Sequence, residues 1–119
     1  MRDYKKLRAF ELTDQLALQV YEATRKFPKE EMFGLTSQLR RAAISAASNI
    51  VEGCARHSEA DFLHFLDMAF GSVHEVEYQL SLAYRLGYIP DAAYEPLKQH
   101  AVETGKVLGA LIRSFRNSS

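Results

Sequence analysis

The segment Phe27–Gly53, FPKEEMFGLTSQLRRAAISAASNIVEG, decides how this chain folds. From Gln38 onward it is crowded with small residues. Ala42, Ala43, Ser45, Ala46, Ala47 and Ser48 leave room for another helix backbone to come close. Leu35, Leu39, Ala43, Ala46 and Ile50 recur at three- and four-residue steps, the period of a helix with one buried stripe. Ile44 and Val51 lie off that stripe, and Arg40, Arg41, Asn49 and Glu52 stand among the small residues. A helix facing only water has no use for such a surface. The pattern points to packing against other helices, within the chain and between copies of it.

The same period extends to both sides. Upstream, Leu12, Leu16, Val20, Ala23 and Phe27 mark a helix over about 7–27, stopped by Pro28 because the residue before a proline is pushed out of the helical region. The small-residue helix runs over about 34–55. Downstream, Ser58 and Asp61 have capping-box spacing and open a helix over about 58–86. Its stripe is Phe62, Leu66, Ala69, Val73, Val76, Leu80 and Ala83, a heptad seam closed by Gly87 as a left-handed cap. Leu63, Met68 and Phe70 lie off it. A fourth helix over about 92–115 carries Leu97, Ala101, Thr104, Leu108, Leu111 and Phe115, with Asp91 as the expected cap and Pro96 near the first turn. No stretch alternates with a period of two. Short connections favour antiparallel neighbours. The predicted fold is all-α, an antiparallel up-down-up-down four-helix bundle formed by residues 1–119 as one domain.

Composition agrees. A chain of 119 residues, 47% hydrophobic and 25% charged, fits one ordinary globular domain. The lone Cys54 excludes an internal disulfide and suits a reducing cytoplasm. No apolar run has the length of a signal peptide core or a membrane span. Net charge is zero but unevenly spread. Residues 1–41 hold nine Lys/Arg and six Asp/Glu, residues 42–97 two and eight, and residues 98–119 four and one. The ends are basic and the middle is acidic.

Catalytic signals are poor. His57, Asp61 and His64 share a helical face, but a di-iron bundle needs carboxylates from all four helices and two Glu-x-x-His units. Cys54 has no catalytic partner in view, and no glycine-rich phosphate loop occurs. Gly105 and Gly109 suit close packing instead. The expectation is no catalytic residue, no metal and no cofactor.

The segments FPKEEMFGLTSQLRRAA, SAASNIVEG, DFLHFLDMAFGSVHEVEYQL and LGYIP, in that order, resemble the 23S rRNA intervening-sequence family of bacterial four-helix-bundle proteins. The resemblance spans roughly residues 7–115, and Ser45–Gly53 is its most specific part. Where the family's segment has a proline, this chain has Ala46, which keeps the helix straighter. The resemblance implies a cytosolic bundle that assembles as a homopentamer. Related accessory proteins of diversity-generating retroelements bind nucleic acid and a reverse transcriptase.

Two groups of residues are therefore singled out. Arg2, Lys5, Lys6 and Arg8, interleaved with Tyr4 and Phe10, are nucleic-acid candidates together with Arg113 and Arg116, because an up-down-up-down bundle puts the start of the first helix beside the end of the last. Arg40, Arg41, Ile44, Asn49, Val51, Glu52, Leu63, Phe70, Ser72 and Glu75 are interface candidates. Arg41 and Glu52 stand about 16 Å apart along the helix, too far to pair, so their partners are expected on another helix or subunit, with Ser72 and Glu75 as the candidates. The expected function is a non-enzymatic, oligomeric adaptor or scaffold in a nucleic-acid-associated process. The alternative is a purely protein-binding assembly with no nucleic-acid contact. Expected partners are other copies of the chain, RNA or DNA, and a second protein, with no membrane.

Overall fold

The computed structural model describes residues 2–118. Four helices run Arg8–Thr24 (α1), Leu35–Cys54 (α2), Glu59–Arg85 (α3) and Asp91–Asn117 (α4), with single 3₁₀ turns at Tyr4–Lys6 and Lys29–Glu31. No strand occurs among the described residues. Successive helices pack side by side, and α1 closes the circuit against α4. The result is the antiparallel four-helix bundle that the apolar period predicts, 46 Å long and 24 by 19 Å across.

The helix ends show which local signals operate. α1 stops at Thr24, whose hydroxyl bonds back to the Val20 carbonyl at 2.8 Å. Phe27 lies beyond the helix yet stays buried, its ring centroid 5.4 Å from that of Tyr88. α2 has no cap of its own from Gly34; Glu31 reaches forward from the preceding turn and accepts the Leu35 N–H at 3.0 Å. Ser58 caps α3 as expected, accepting the Asp61 N–H at 3.1 Å. Glu59 and Asp61 at the start of α3 and Arg85 at its end complement the helix dipole. Gly87 has φ of 82°, the left-handed conformation that only glycine adopts without strain. Asp91 does not cap α4. It is the first residue of the helix, and its carboxylate takes the Tyr84 hydroxyl at 2.7 Å, tying α4 to the end of α3.

The core forms two apolar clusters. One gathers Leu16, Val20, Leu35, Leu39, Val76, Leu80, Ile89 and Leu97 at the end holding the α1–α2 and α3–α4 connections. The other gathers Ala9, Ala46, Ile50, Phe62, Leu66, Val73, Leu108 and Ile112 at the end holding the N-terminus and the α2–α3 connection. In sequence, Thr13 and Thr104 fall between the clusters. Both are fully buried, with hydroxyls satisfied by the Phe10 and His100 carbonyls.

All seven residues of the predicted α3 seam and all five of the α2 stripe are buried. The α4 seam departs from prediction at its end, where Ile112 is buried and Leu111 and Phe115 are half-buried. A straight helix drifts by about 20° per heptad against a strict seven-residue repeat, so the buried face moves one residue on. On α1 Thr24 is buried and the expected Ala23 half-buried, the Thr24 hydroxyl being satisfied by the Val20 carbonyl. No helix is long and apolar enough to cross a membrane.

Candidate functional site

The N-terminal segment is pinned to the bundle by its backbone. Arg2 N–H donates to the Cys54 carbonyl at 2.9 Å, and Asp3 accepts the Lys5 N–H at 3.1 Å. This sets Arg2 inward, toward the bundle end. Its guanidinium lies 4.0 Å from the centroid of Phe62 and 5.0 Å from that of Phe115, with Glu59 at 3.8 Å. Stacked cations of this kind contribute about 0.5–2 kcal/mol. The expected adjacency of the two chain ends is thus present, but Arg2 serves as the clamp that makes it.

Arg116 is likewise committed. Its guanidinium grips Asp67 on α3 with two hydrogen bonds, which hold its charge on and its pKa above the usual value. Lys5, Lys6, Arg8 and Arg113 are exposed, and among the described residues none of them is in an ion pair. Tyr4 and Phe10, interleaved with the basic residues, pack edge to face at 4.7 Å and are half-buried, so their faces serve the fold. At this end Lys5, Lys6, Arg8 and Arg113 thus stand outside the ion pairs among the described residues, with the Lys5 ammonium 6.0 Å from the centroid of the Tyr4 ring.

The α2 candidates divide in the same way. Arg40 donates to the Thr24 hydroxyl at 2.7 Å and covers the Tyr21 ring at 4.5 Å, joining α2 to α1. Asn49 donates to the Ser45 carbonyl and hydroxyl at 2.9 and 3.0 Å, and Ser72 donates to the same hydroxyl at 3.0 Å. These three residues make a short polar chain that joins α2 to α3, where the small side chains allow close approach. Glu52 pairs with Arg56 at 3.0 Å, one helical turn further on the same strand of chain. This corrects the expectation of a partner on another helix or subunit: Glu52 and Arg56 stand four residues apart, the spacing of neighbours on one helical face, and Ala55 between them keeps helical backbone angles. Arg41 and Glu75 are exposed, with no ion pair among the described residues.

Of the off-stripe apolar candidates, Leu63 and Phe70 pack against the edge of the second cluster and widen the monomer core. Phe70 lies over Gly109, where an added Cβ would come within 3.2 Å of its ring. Val51 is half-buried, and Ile44 is 43% exposed. The periodicity missed the most exposed large apolar residue, Phe33 at 93%, beside Met32 at 55%. Both sit in the non-helical link before α2, where a stripe argument has no purchase.

Periodicity also missed a cavity of about 320 Å³ between α1 and the start of α4. Ala23, Tyr88, Ile89, Pro90, Ala93 and Leu97 are among its walls, with Glu22 and Lys26 at the rim. Tyr88 donates to Glu31 at 2.9 Å, which bridges this wall to the turn carrying Phe33. Leu35 N–H and then the Tyr88 hydroxyl hold the Glu31 carboxyl below the usual range. The same contact pushes the Tyr88 phenol up.

Cys54 is buried, and burial pushes its thiol above the ordinary value. Among the described residues no group of three or more His, Cys, Asp or Glu side chains could hold a metal ion; His57, Asp61 and His64 face solvent.

The comparisons with known proteins bear on the whole chain. None of the curated proteins matches it. A crystal structure from Bacteroides thetaiotaomicron VPI-5482, described as a protein of unknown function from the S23 ribosomal protein family, superposes with a TM-score of 0.80 at 26% identity. The match covers 88% of this chain and 95% of that one. The family model for 23S rRNA-intervening sequence proteins matches residues 5–110, which take in the cationic N-terminal turn, the small-residue helix and the α3–α4 turn. The chain belongs to the 23S rRNA-intervening sequence protein family.

Proposed function

We propose that this chain is a non-enzymatic, self-assembling bundle that acts as an adaptor or scaffold and presents a cationic end to nucleic acid. The family resemblance implies five copies and a cytosolic setting. The observation that carries the reading is the placement of Lys5, Lys6, Arg8 and Arg113 at one end of the bundle, exposed and outside the ion pairs. Phosphate binding grows with the number of cations offered, so a ring of copies multiplies a modest patch into a useful one. The uncommitted apolar surface at Ile44 and Phe33 supports association of copies.

The test is a fluorescence-anisotropy titration with a labelled structured RNA at two salt concentrations, beside light scattering of the free protein. The expected result is saturable binding that weakens steeply with salt, and weakens further in Lys5→Ala/Lys6→Ala/Arg8→Ala. The expected mass is that of five 13.5 kDa chains. No binding at low salt overturns the nucleic-acid reading. A monomeric mass at micromolar concentration overturns the assembly.

A second reading rests on a specific observation. Arg2 and Arg116 are neutralised within the chain, by Glu59 and Asp67, which leaves four of six basic candidates free. That reduces the phosphate contacts each copy can make and supports a purely protein-binding assembly as the second reading; absence of RNA binding by an assembled protein selects it.

A further inference from the structure

The segment before α1 is built as a unit of its own. Asp3 accepts the Lys5 N–H at 3.1 Å, the Lys6 N–H reaches the Asp3 carbonyl at 3.1 Å, and the Leu7 N–H reaches the Tyr4 carbonyl at 3.0 Å. The turn therefore satisfies itself locally, and none of its residues is buried. Leu7 joins it to α1 with extended backbone, φ −88° and ψ 126°, and gives α1 no side-chain cap. Among the described residues, a single backbone hydrogen bond crosses from residues 2–6 to the four helices, from the Arg2 N–H to the Cys54 carbonyl. Segments with so few buried contacts open locally long before the core does.

Arg2 fastens this strap. Its guanidinium lies over Phe62 of α3 and Phe115 of α4, so stacking does most of the holding. The carboxylate beside it is a loose partner. Glu59 stands 3.8 Å away, and the two side chains are 34% and 46% exposed, where an ion pair adds little. A phosphate offers the same guanidinium two parallel hydrogen bonds, a stronger and better-directed interaction. Lys5 and Lys6 ride on the same strap, exposed, and draw phosphate to it. Opening leaves a trace at Cys54, whose carbonyl the strap holds and which is 1% exposed. Burial acts most strongly on its thiol, with the Arg2 and Asp3 charges acting in opposite directions.

We propose that residues 2–6 form a strap that swings about Leu7, and that phosphate opens it by drawing Arg2 away from Phe62 and Phe115. The closed strap withholds a cation that the open strap presents together with Lys5 and Lys6. The inference rests on the nucleic-acid reading and describes how that same end is regulated.

Labelling of Cys54 with a thiol reagent reads the opening. In the free protein the rate is expected to be insensitive to urea well below the unfolding transition, because a short strap exposes little surface when it opens. Arg2→Ala removes the latch and is expected to speed labelling roughly 2- to 30-fold, with helix content by circular dichroism at the wild-type level. Val20→Ala loosens the core at the other end of the bundle and is expected to leave the rate unchanged. A wild-type rate that climbs with urea along the slope of global unfolding, or an Arg2→Ala rate equal to wild type, overturns the strap. The second arm adds the structured RNA at low salt, at saturation by anisotropy. It is expected to speed labelling of the wild type severalfold and to leave Arg2→Ala, already unlatched, unchanged. RNA that binds yet leaves the wild-type rate unchanged or lowers it overturns the release of Arg2. RNA that does not bind overturns the nucleic-acid reading and the phosphate trigger with it, while the free-protein arm still decides the strap.

Discussion

Gly53→Ala probes the closest approach in the bundle. A Cβ added at Gly53 would lie 2.9 Å from the Phe65 Cβ and 3.2 Å from the Phe62 carbonyl oxygen. Both atoms are rooted in the opening turns of α3, so relief requires α3 to move. Phe62 is fully buried and carries the stacked Arg2, so that movement disturbs the second cluster as well. Overpacking of this kind costs about 1–3 kcal/mol. Against it, exchanging glycine for alanine in a helix gains at most about 1 kcal/mol. The expected balance is a net loss of about 1–2 kcal/mol. Gly71→Ala is the control: it lies in the middle of α3 with nothing within 4 Å of the added carbon, so only the helix gain remains and stability should rise by about 0.5–1 kcal/mol. The assay is equilibrium urea unfolding followed by circular dichroism at one fixed protein concentration, since association shifts apparent stability. With a slope of about 2 kcal/mol per molar, the two midpoints should separate by roughly 1 M, on opposite sides of wild type. A Gly53→Ala protein at or above wild-type stability would refute the idea that α2 is small there to admit α3.

The remaining expectations concern titration and access. Glu31 is held below its ordinary value of 4.5 by Leu35 N–H and the Tyr88 hydroxyl, so its stabilisation is present above that value and is lost as pH falls through the lower folded one. Wild type should therefore unfold at higher urea than Glu31→Gln at pH 7, and the gap should narrow as pH falls below the ordinary value of 4.5 and through the lower folded one; a gap independent of pH would count against the carboxylate's role. Cys54, buried and with a raised pKa, should react with a thiol reagent at least about tenfold more slowly in native protein than in urea, and equal rates would contradict the burial.

The fold was legible because each helix carries its own period. The α3 seam from Phe62 to Ala83 and the α2 stripe from Leu35 to Ile50 needed no tertiary information. Errors fell where a helix meets something outside itself. Leu111 gave way to Ile112 because a heptad count ignores helical drift. Asp91 looked like a cap because its partner, the Tyr84 hydroxyl, lies on another helix. The site was legible only in part for the same reason. Clustering of Arg2 with Lys5, Lys6 and Arg8 in sequence says nothing of Glu59, Phe62 and Phe115, which take Arg2 out of the cluster. The cavity could not be read at all, since its walls come from two segments far apart in sequence, residues 19–26 and 88–97, and Phe33 carried no periodic signal in a link without helix.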